Sequence, residues 1–337
     1  MLFHRLAQIA TLLALTVVVL GAWVRLTDAG LGCPDWPGCY GRIGVPSAAE
    51  EVAEANAAFP ERPVEQGKAW REMIHRYLAS TLGLLILALA ALAWRARRHD
   101  PAHPLWLPLV LVALVIGQGM LGMLTVTLLL KPVIVMAHLL GGMTTLALLW
   151  LLVLRTAPTP ARPGAALATG LRPLTLVALA VVVMQIALGG WTSTNYAALA
   201  CPDFPTCQGT WQPRVDVGEA FVMWRGLGVN YEGGVLDGPA RTAIHLTHRI
   251  GALVTLLTLG MISTLLLLRS RFAGLRRAAV AVQLVLAAQL TLGVVIVVRM
   301  LPLELAVAHN ATAALLLLSV VTLVHRAWLR PEGSMAR

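Results

Sequence analysis

Cys33-Pro34-Asp35-Trp36-Pro37-Gly38-Cys39 returns 168 residues later as Cys201-Pro202-Asp203-Phe204-Pro205-Thr206-Cys207. Shared Cys, Pro, Asp, aromatic, Pro and Cys positions mark an internal repeat, and the match extends outward. Trp23 precedes the first segment by ten residues, as Trp191 precedes the second. Further along, Gln118…Gly122 matches Gln289…Gly293 and His138 matches His309 at an offset of 171, and His75-Arg76 matches His248-Arg249 at 173. The chain therefore reads as two halves, 1–155 and 171–337, joined by a linker over 156–170 that is rich in Pro, Ala and Gly.

What each half is made of follows from composition. Of the 337 residues 58% are hydrophobic and 12% charged, with a mean hydropathy of +0.76; an average soluble domain is roughly 25% charged. This is the composition of an integral membrane protein. Eight segments reach the length of about 20 apolar residues that a bilayer crossing takes: Leu6–Val24, Met73–Trp94, Pro104–Leu130, Pro132–Leu154, Pro173–Trp191, Ala243–Leu268, Ala278–Val298 and Leu303–Val324. Each must be a helix, because lipid offers no water to satisfy backbone groups. The first follows Phe3-His4-Arg5 like a signal peptide, but its apolar run exceeds the roughly 7–15 residues of such a segment, so it is read as retained. The expected fold is all-α: two tandem four-helix bundles. Four being even, both halves keep one orientation, which implies a pseudo-two-fold axis along the membrane normal.

Charge sets the orientation. With a cytoplasmic amino terminus, the cytoplasmic loops hold clusters such as Arg95, Arg97 and Arg98, and Arg269, Arg271, Arg276 and Arg277, against only Asp100 and Glu332. Both termini are then cytoplasmic, and the long loops 25–71 and 192–241 are external. The net charge of +10 reflects this topology, so nucleic acid is not an expected partner. Cys33/Cys39 and Cys201/Cys207 both fall outside, where disulfides persist. For each pair, stapling of a long loop stands beside a redox role.

Nine histidines occur, and the repeat sorts them. His4, His99, His103 and His325 lie at cytoplasmic ends or loops and read as solvated. His75, His138, His248 and His309 are repeated, near the external starts of inward-running helices. With Pro132 and Pro302 as first-turn prolines, His138 and His309 lie about 9–10 Å into their helices. One imidazole from each of two facing helices is what a haem iron with two axial histidines requires. Zinc would want further ligands at each site. Arg76 and Arg249, one residue on, suit haem propionates as charge partners; alternatively each snorkels to the interface a turn away.

Symmetry breaks three residues before the first histidine of each pair. There stands Glu72 in the first half and His245 in the second. Glu72 is thus a candidate proton acceptor or charge stabiliser, against the plainer reading of an acid favoured by the helix dipole. His245 is a spare ligand at most, since Arg249 aligns with Arg76 only if His248 is the counterpart of His75.

The segment Arg25-Leu26-Thr27…Gly30-Leu31…Cys33-Pro34-Asp35-Trp36-Pro37, with Glu72-Met73-Ile74-His75-Arg76, His138, His248-Arg249 and His309, closely resembles the haem A synthase family over nearly the full length. The resemblance implies that haem O, the substrate, is held by His75 and His138 beside Glu72, and that haem b, a permanent cofactor, is held by His248 and His309. The implied reaction oxidises a ring methyl of haem O to a formyl group with water as the oxygen source, haem b passing electrons to an unidentified acceptor. Haem O synthase and cytochrome oxidase assembly factors are implied partners, together with the lipid bilayer. The lack of a basic amphipathic presequence points to a bacterial inner membrane. Two other classes also fit the spans: a di-haem membrane cytochrome b that only carries electrons, which leaves Glu72 unused, and a transporter of two parallel repeats, which would be colourless.

Overall fold

The computed structural model describes residues 1–101, 104–157 and 171–328. Within them run α1 (Leu2–Leu26), α2 (Ala49–Ala58), α3 (Gln66–Arg97), α4 (Trp106–Thr127), α5 (Pro132–Arg155), α6 (Arg172–Thr194), α7 (Val217–Ala220), α8 (Gly238–Arg269), α9 (Ala273–Val298) and α10 (Leu303–Ala327). Eight of these are long and apolar enough to cross a membrane; α2 and α7 are short pieces of the two long loops. The chain is an all-α, multi-pass membrane protein. Nearly all of the linker, His103, Arg330 and Glu332 fall outside the described residues.

The spans exceed the apolar runs because polar first turns are helical too. At α8 the Asp237 carboxylate accepts a hydrogen bond from Ala240 N at 2.9 Å, and Pro239 occupies the first turn, where its missing N–H costs nothing. The start of α3 is fixed by packing instead: Ala69 and Met73 are buried against Cys33, Cys39 and Tyr40 of the preceding loop. Inside the spans, hydroxyls bond back to their own helix, as Thr11 does to the Ala7 carbonyl at 2.7 Å and Ser263 to that of Leu259 at 2.6 Å. These hydroxyl protons are thereby paired within their own helix.

Helix α1 packs on α3 and α5, and α4 on the same two, so these four close a ring. The helices α6, α8, α9 and α10 close a second ring in the same order, and α1 and α5 meet α6 and α10 between them. One apolar cluster draws on all eight spans, from Ala7, Ala10 and Ala14 on a single face of α1 to Leu317 and Val320 on α10. Lipid tails are as apolar as leucine, so what this cluster contributes is close packing, which the small α1 residues permit.

Backbone irregularities recur with the sequence repeat. Positive φ appears at Asp28 and Tyr196 (49° and 53°), at Tyr40 and Gln208 (54° and 56°), and at Leu129-Leu130 and Met300-Leu301 (51° and 60°, 58° and 63°). After α4 and α9 the same left-handed cap closes the helix, with Leu130 N donating to Thr125 O and Leu301 N to Ile296 O, each at 2.8 Å. Both long loops emerge at one end, where Arg25 donates to Ser193 O at 2.6 Å and Arg62 pairs with Glu232 at 3.1 Å.

Two sequence expectations need correction. Neither His4 nor His325 is a solvated surface residue. Both are half-buried, and His4 Nδ1 bonds Thr156 Oγ1 at 3.0 Å, because the end of α5 folds back over the start of α1. Pro302 is the residue before α10 rather than a member of its first turn. Pro132 does open α5.

Candidate paired-histidine site

At the loop end of the molecule, the repeated heptapeptides are closed by Cys33–Cys39 and Cys201–Cys207 disulfides. The aspartate of each binds the turn that follows: Asp35 accepts from Tyr40 N and Gly41 N, both at 2.7 Å, and Asp203 from Gln208 N at 2.6 Å and Gly209 N at 3.0 Å. Gly41 and Gly209 have φ of +73° and +75°, a conformation that favours glycine. The Thr206 hydroxyl, and then the amides of Gly209 and Gln208, hold the exposed Asp203 carboxyl below its ordinary range.

Each arginine docks a closed loop onto its helix. Arg76 donates to the carbonyls of Asp35 (3.0 Å), Pro37 (3.3 Å) and Gly38, and Arg249 to those of Cys201 (3.0 Å), Asp203 (2.7 Å) and Thr206 (2.8 Å). A charged donor on neutral acceptors makes a stronger bond than a neutral one. The sequence left the arginines between two readings, and their partners here are loop carbonyls, joined at Arg76 by the Glu72 carboxylate, none of which either reading had named.

Glu72 is 5% exposed; one oxygen accepts from Cys33 N at 2.8 Å and the other from Arg76 Nη2 at 2.5 Å. His245, 4% exposed, stands in its place in the second half, with Nδ1 accepting from Cys201 N at 3.3 Å. The two residues do the same structural work on the first cysteine of their loops, yet only the glutamate brings charge. His245 is thereby tied to the loop.

Below the loops lie the four repeated histidines. His75 on α3 and His138 on α5 belong to the first ring of helices, and His248 on α8 and His309 on α10 to the second, each towards the loop end of its span. Every ring lies against a glycine of a neighbouring span. A Cβ on Gly21 would fall 3.0 Å from His75 Cε1, on Gly122 3.5 Å from His138, on Gly189 3.2 Å from His248, and on Gly293 3.2 Å from His309. These glycines repeat as the histidines do, and Gly122 and Gly293 stood in the sequence motif without a reason attached to them.

Three of the four rings carry an enclosed Nδ1 with no hydrogen-bond partner: His75, His138 and His309. Leaving a buried polar atom unpaired costs about 1–3 kcal/mol, so native structures seldom do it without cause. All four histidines are partly buried and keep some accessible surface. Paired imidazoles with unsatisfied nitrogens fit two axial ligands to an iron held between helices. An open apolar cleft of about 410 Å³ is lined by Leu15, Thr16, Val19, Leu20, Trp23 and Val307.

Paired imidazoles inside a polytopic helical protein define a class, the membrane proteins that hold a cofactor between facing helices. The model of a family described as cytochrome oxidase assembly protein matches residues 4–321, and the chain belongs to that family. It is 47% identical over 332 residues, 98% of each chain, to a protein of Shewanella oneidensis named heme A synthase. Proteins of the same name from a Methylobacterium species (31% identical, covering 90% of this chain and 86% of theirs) and from Halalkalibacterium halodurans (28%, covering 78% and 77%) are also similar.

Proposed function

We propose that the chain is an oxidoreductase that converts haem O to haem A for cytochrome oxidase assembly, the activity for which its 47%-identical relative is named. The overall change is R–CH3 + H2O → R–CHO + 4 H+ + 4 e−, so the site must accept protons, admit water, and deliver electrons to an acceptor. The observation that carries the assignment of parts is the asymmetry at the disulfide loops: the same bond from the first cysteine is received by Glu72 in one half and by His245 in the other.

Haem O is bound in the first half, 1–155, by His75 and His138. Glu72, three residues from His75 on the same face of α3, supplies negative charge to a methyl carbon that becomes electron-poor as hydride or electrons leave, and it accepts a proton there. Its bonds to Cys33 N and Arg76 fix where that charge sits, which is what electrostatic stabilisation of a transition state needs. Haem b, held by His248 and His309 in the second half, 171–337, supplies one-electron redox chemistry when bound. Arg76 and Arg249 hold the loops onto their helices and are the candidate charge partners of the propionates.

The halves are tandem four-helix bundles, related by a pseudo-two-fold axis along the membrane normal and linked through 156–170. Supporting this, residues at matched repeat positions touch one another: Arg25 reaches Ser193 O, and Asp28 accepts from the Tyr196 hydroxyl at 3.1 Å, both across 168 residues. Self-matched contacts of this kind lie on a symmetry axis. Both termini are cytoplasmic and the disulfide loops external in a bacterial inner membrane; haem O synthase and oxidase assembly factors supply the substrate and take the product.

Alanine at the histidines separates the two sites. His248→Ala and His309→Ala are expected to lose the protohaem that co-purifies, whereas His75→Ala and His138→Ala keep it and make no haem A. Loss of the retained haem from the first-half variants alone would reverse the assignment.

A further inference from the structure

The two halves differ in what stands behind their imidazoles. In the second half, Gln185 on α6 donates through Nε2 to the His248 carbonyl at 3.1 Å, and the same nitrogen lies 3.2 Å from His248 Nδ1. Gln289 on α9 holds the other ligand, Nε2 to His309 Nε2 at 3.1 Å. Both glutamines keep a buried, unpaired Oε1; the amide NH2 faces a bare ring nitrogen here, and turning the amide over presents Oε1 as the acceptor that the N–H of an iron-bound imidazole needs.

The first half has neither contact. At the position of Gln185 stands Val17, whose side chain has no group to bond His75, and His75 Nδ1 is unpaired. At the position of Gln289 stands Gln118, but its amide is turned into the space that a Cβ on Gly141 would fill; Nδ1 is unpaired at both His138 and His309, and what His138 lacks is the amide contact that Gln289 makes at His309 Nε2.

Small residues on the facing helices set this difference. Gly141 corresponds to Thr312, so in the second half that notch is closed and Gln289 is left facing its histidine. The Thr312 hydroxyl is spent on Ala308 O at 2.8 Å and does not compete for the amide. Conversely, Gly251 on α8 opens the notch that Gln185 Oε1 occupies, and the matching residue in the first half is Leu78. Gln185 packs on Gly251, and the first half has Val17 and Leu78 at those two positions. The difference is therefore built by two packing exchanges.

We propose that Gln185 and Gln289 are positioning residues that hold His248 and His309 ready for a haem that stays, and that the missing support at His75 and His138 lets the first half exchange its haem. The inference rests on the assignment of retained and substrate haem made above. A hydrogen bond to the distal nitrogen of a ligating imidazole fixes its orientation and raises its basicity, and its loss typically costs about 10–100-fold in affinity. A substrate that must arrive and a product that must leave are served by the weaker arrangement.

The test uses the full-length protein, purified in detergent with its co-purifying protohaem, and follows haem transfer to excess myoglobin stripped of its own haem. Gln185→Val with Gly251→Leu copies the first half into the second. It is expected to release haem about 10–100-fold faster and to shift the low-spin electron paramagnetic resonance of the ligated iron. Gln185→Glu, which keeps an acceptor, restores slow release. Gln185→Leu alone gives the same reading if the double variant does not accumulate. Wild-type release and an unshifted spectrum in these variants would overturn the role of the glutamine. His248→Ala tells that failure apart from failure of the assignment: if it retains haem as the wild type does, the second half is not where the retained haem sits.

Discussion

Glu72 is fastened at both oxygens, to Cys33 N and to Arg76, and its substitution separates shape from charge. Glu72→Gln keeps an acceptor for Cys33 N, loses the negative charge and gives up the bond from Arg76, which still holds the loop through its three carbonyls. Haem content and the disulfide loop are expected to stay as in the wild type, while haem A formation falls by about 100-fold or more, the usual worth of a positioned acid or base. Conversion at the native rate in a haem-loaded variant would remove Glu72 from the chemistry. Gly21→Ala addresses the ring itself, since the new Cβ would lie 3.0 Å from His75 Cε1, inside van der Waals contact. Haem A yield should drop with the co-purifying protohaem unchanged, as read by chromatography of extracted pigment. The sequence alone exposed the Glu72/His245 difference but not its shared purpose, because the bonded cysteines lie 39 and 44 residues away and no local pattern encodes them. Gln185 was silent for a related reason: it breaks the repeat, and only a search for what the repeat lacks would have found it.

Elements were legible in their apolar parts. Lipid forces helix onto any long uncharged run, so all eight spans could be placed by hydropathy, whereas their outer turns, decided by a cap at Asp237 or by packing on a disulfide loop, could not. The two heptapeptide loops look alike in sequence because one aspartate, one glycine and one arginine contact each recur in space. Asp203 makes a pH-dependent contribution. Its carboxyl is held below the ordinary value of 3.8, chiefly by the Thr206 hydroxyl, so the folded loop favours the charged form. The stabilisation is complete above the unfolded-state pKa and is lost as pH falls through the lower folded value. Protection of the Gln208 and Gly209 amides, relative to their intrinsic exchange rates, should therefore hold through mildly acidic pH and fall only below the ordinary carboxylate range. In Asp203→Asn that protection is expected to be low and independent of pH; pH-dependent protection persisting in that variant would contradict the assignment to this carboxyl.

For the molecule as a whole, a repeated sequence carries a repeated backbone, down to matched left-handed caps, and one half is altered at few positions to give a different duty. Glu72 for His245, Val17 for Gln185, Leu78 for Gly251 and Gly141 for Thr312 separate an exchanging, reactive site from a retentive one on this account. Repeat and histidine pairs were readable in sequence because both rest on residue identity at fixed spacing. Which glycine notch an amide enters depends on packing between helices distant in the chain, and it was not readable. The most direct test of the central claim is pigment extraction and chromatography from cells expressing this chain with and without haem O synthase. Haem A should appear only when both proteins are present, and disappear with Glu72→Gln. Protohaem alone, with haem O left unconverted beside a folded, haem-loaded protein, would contradict the account.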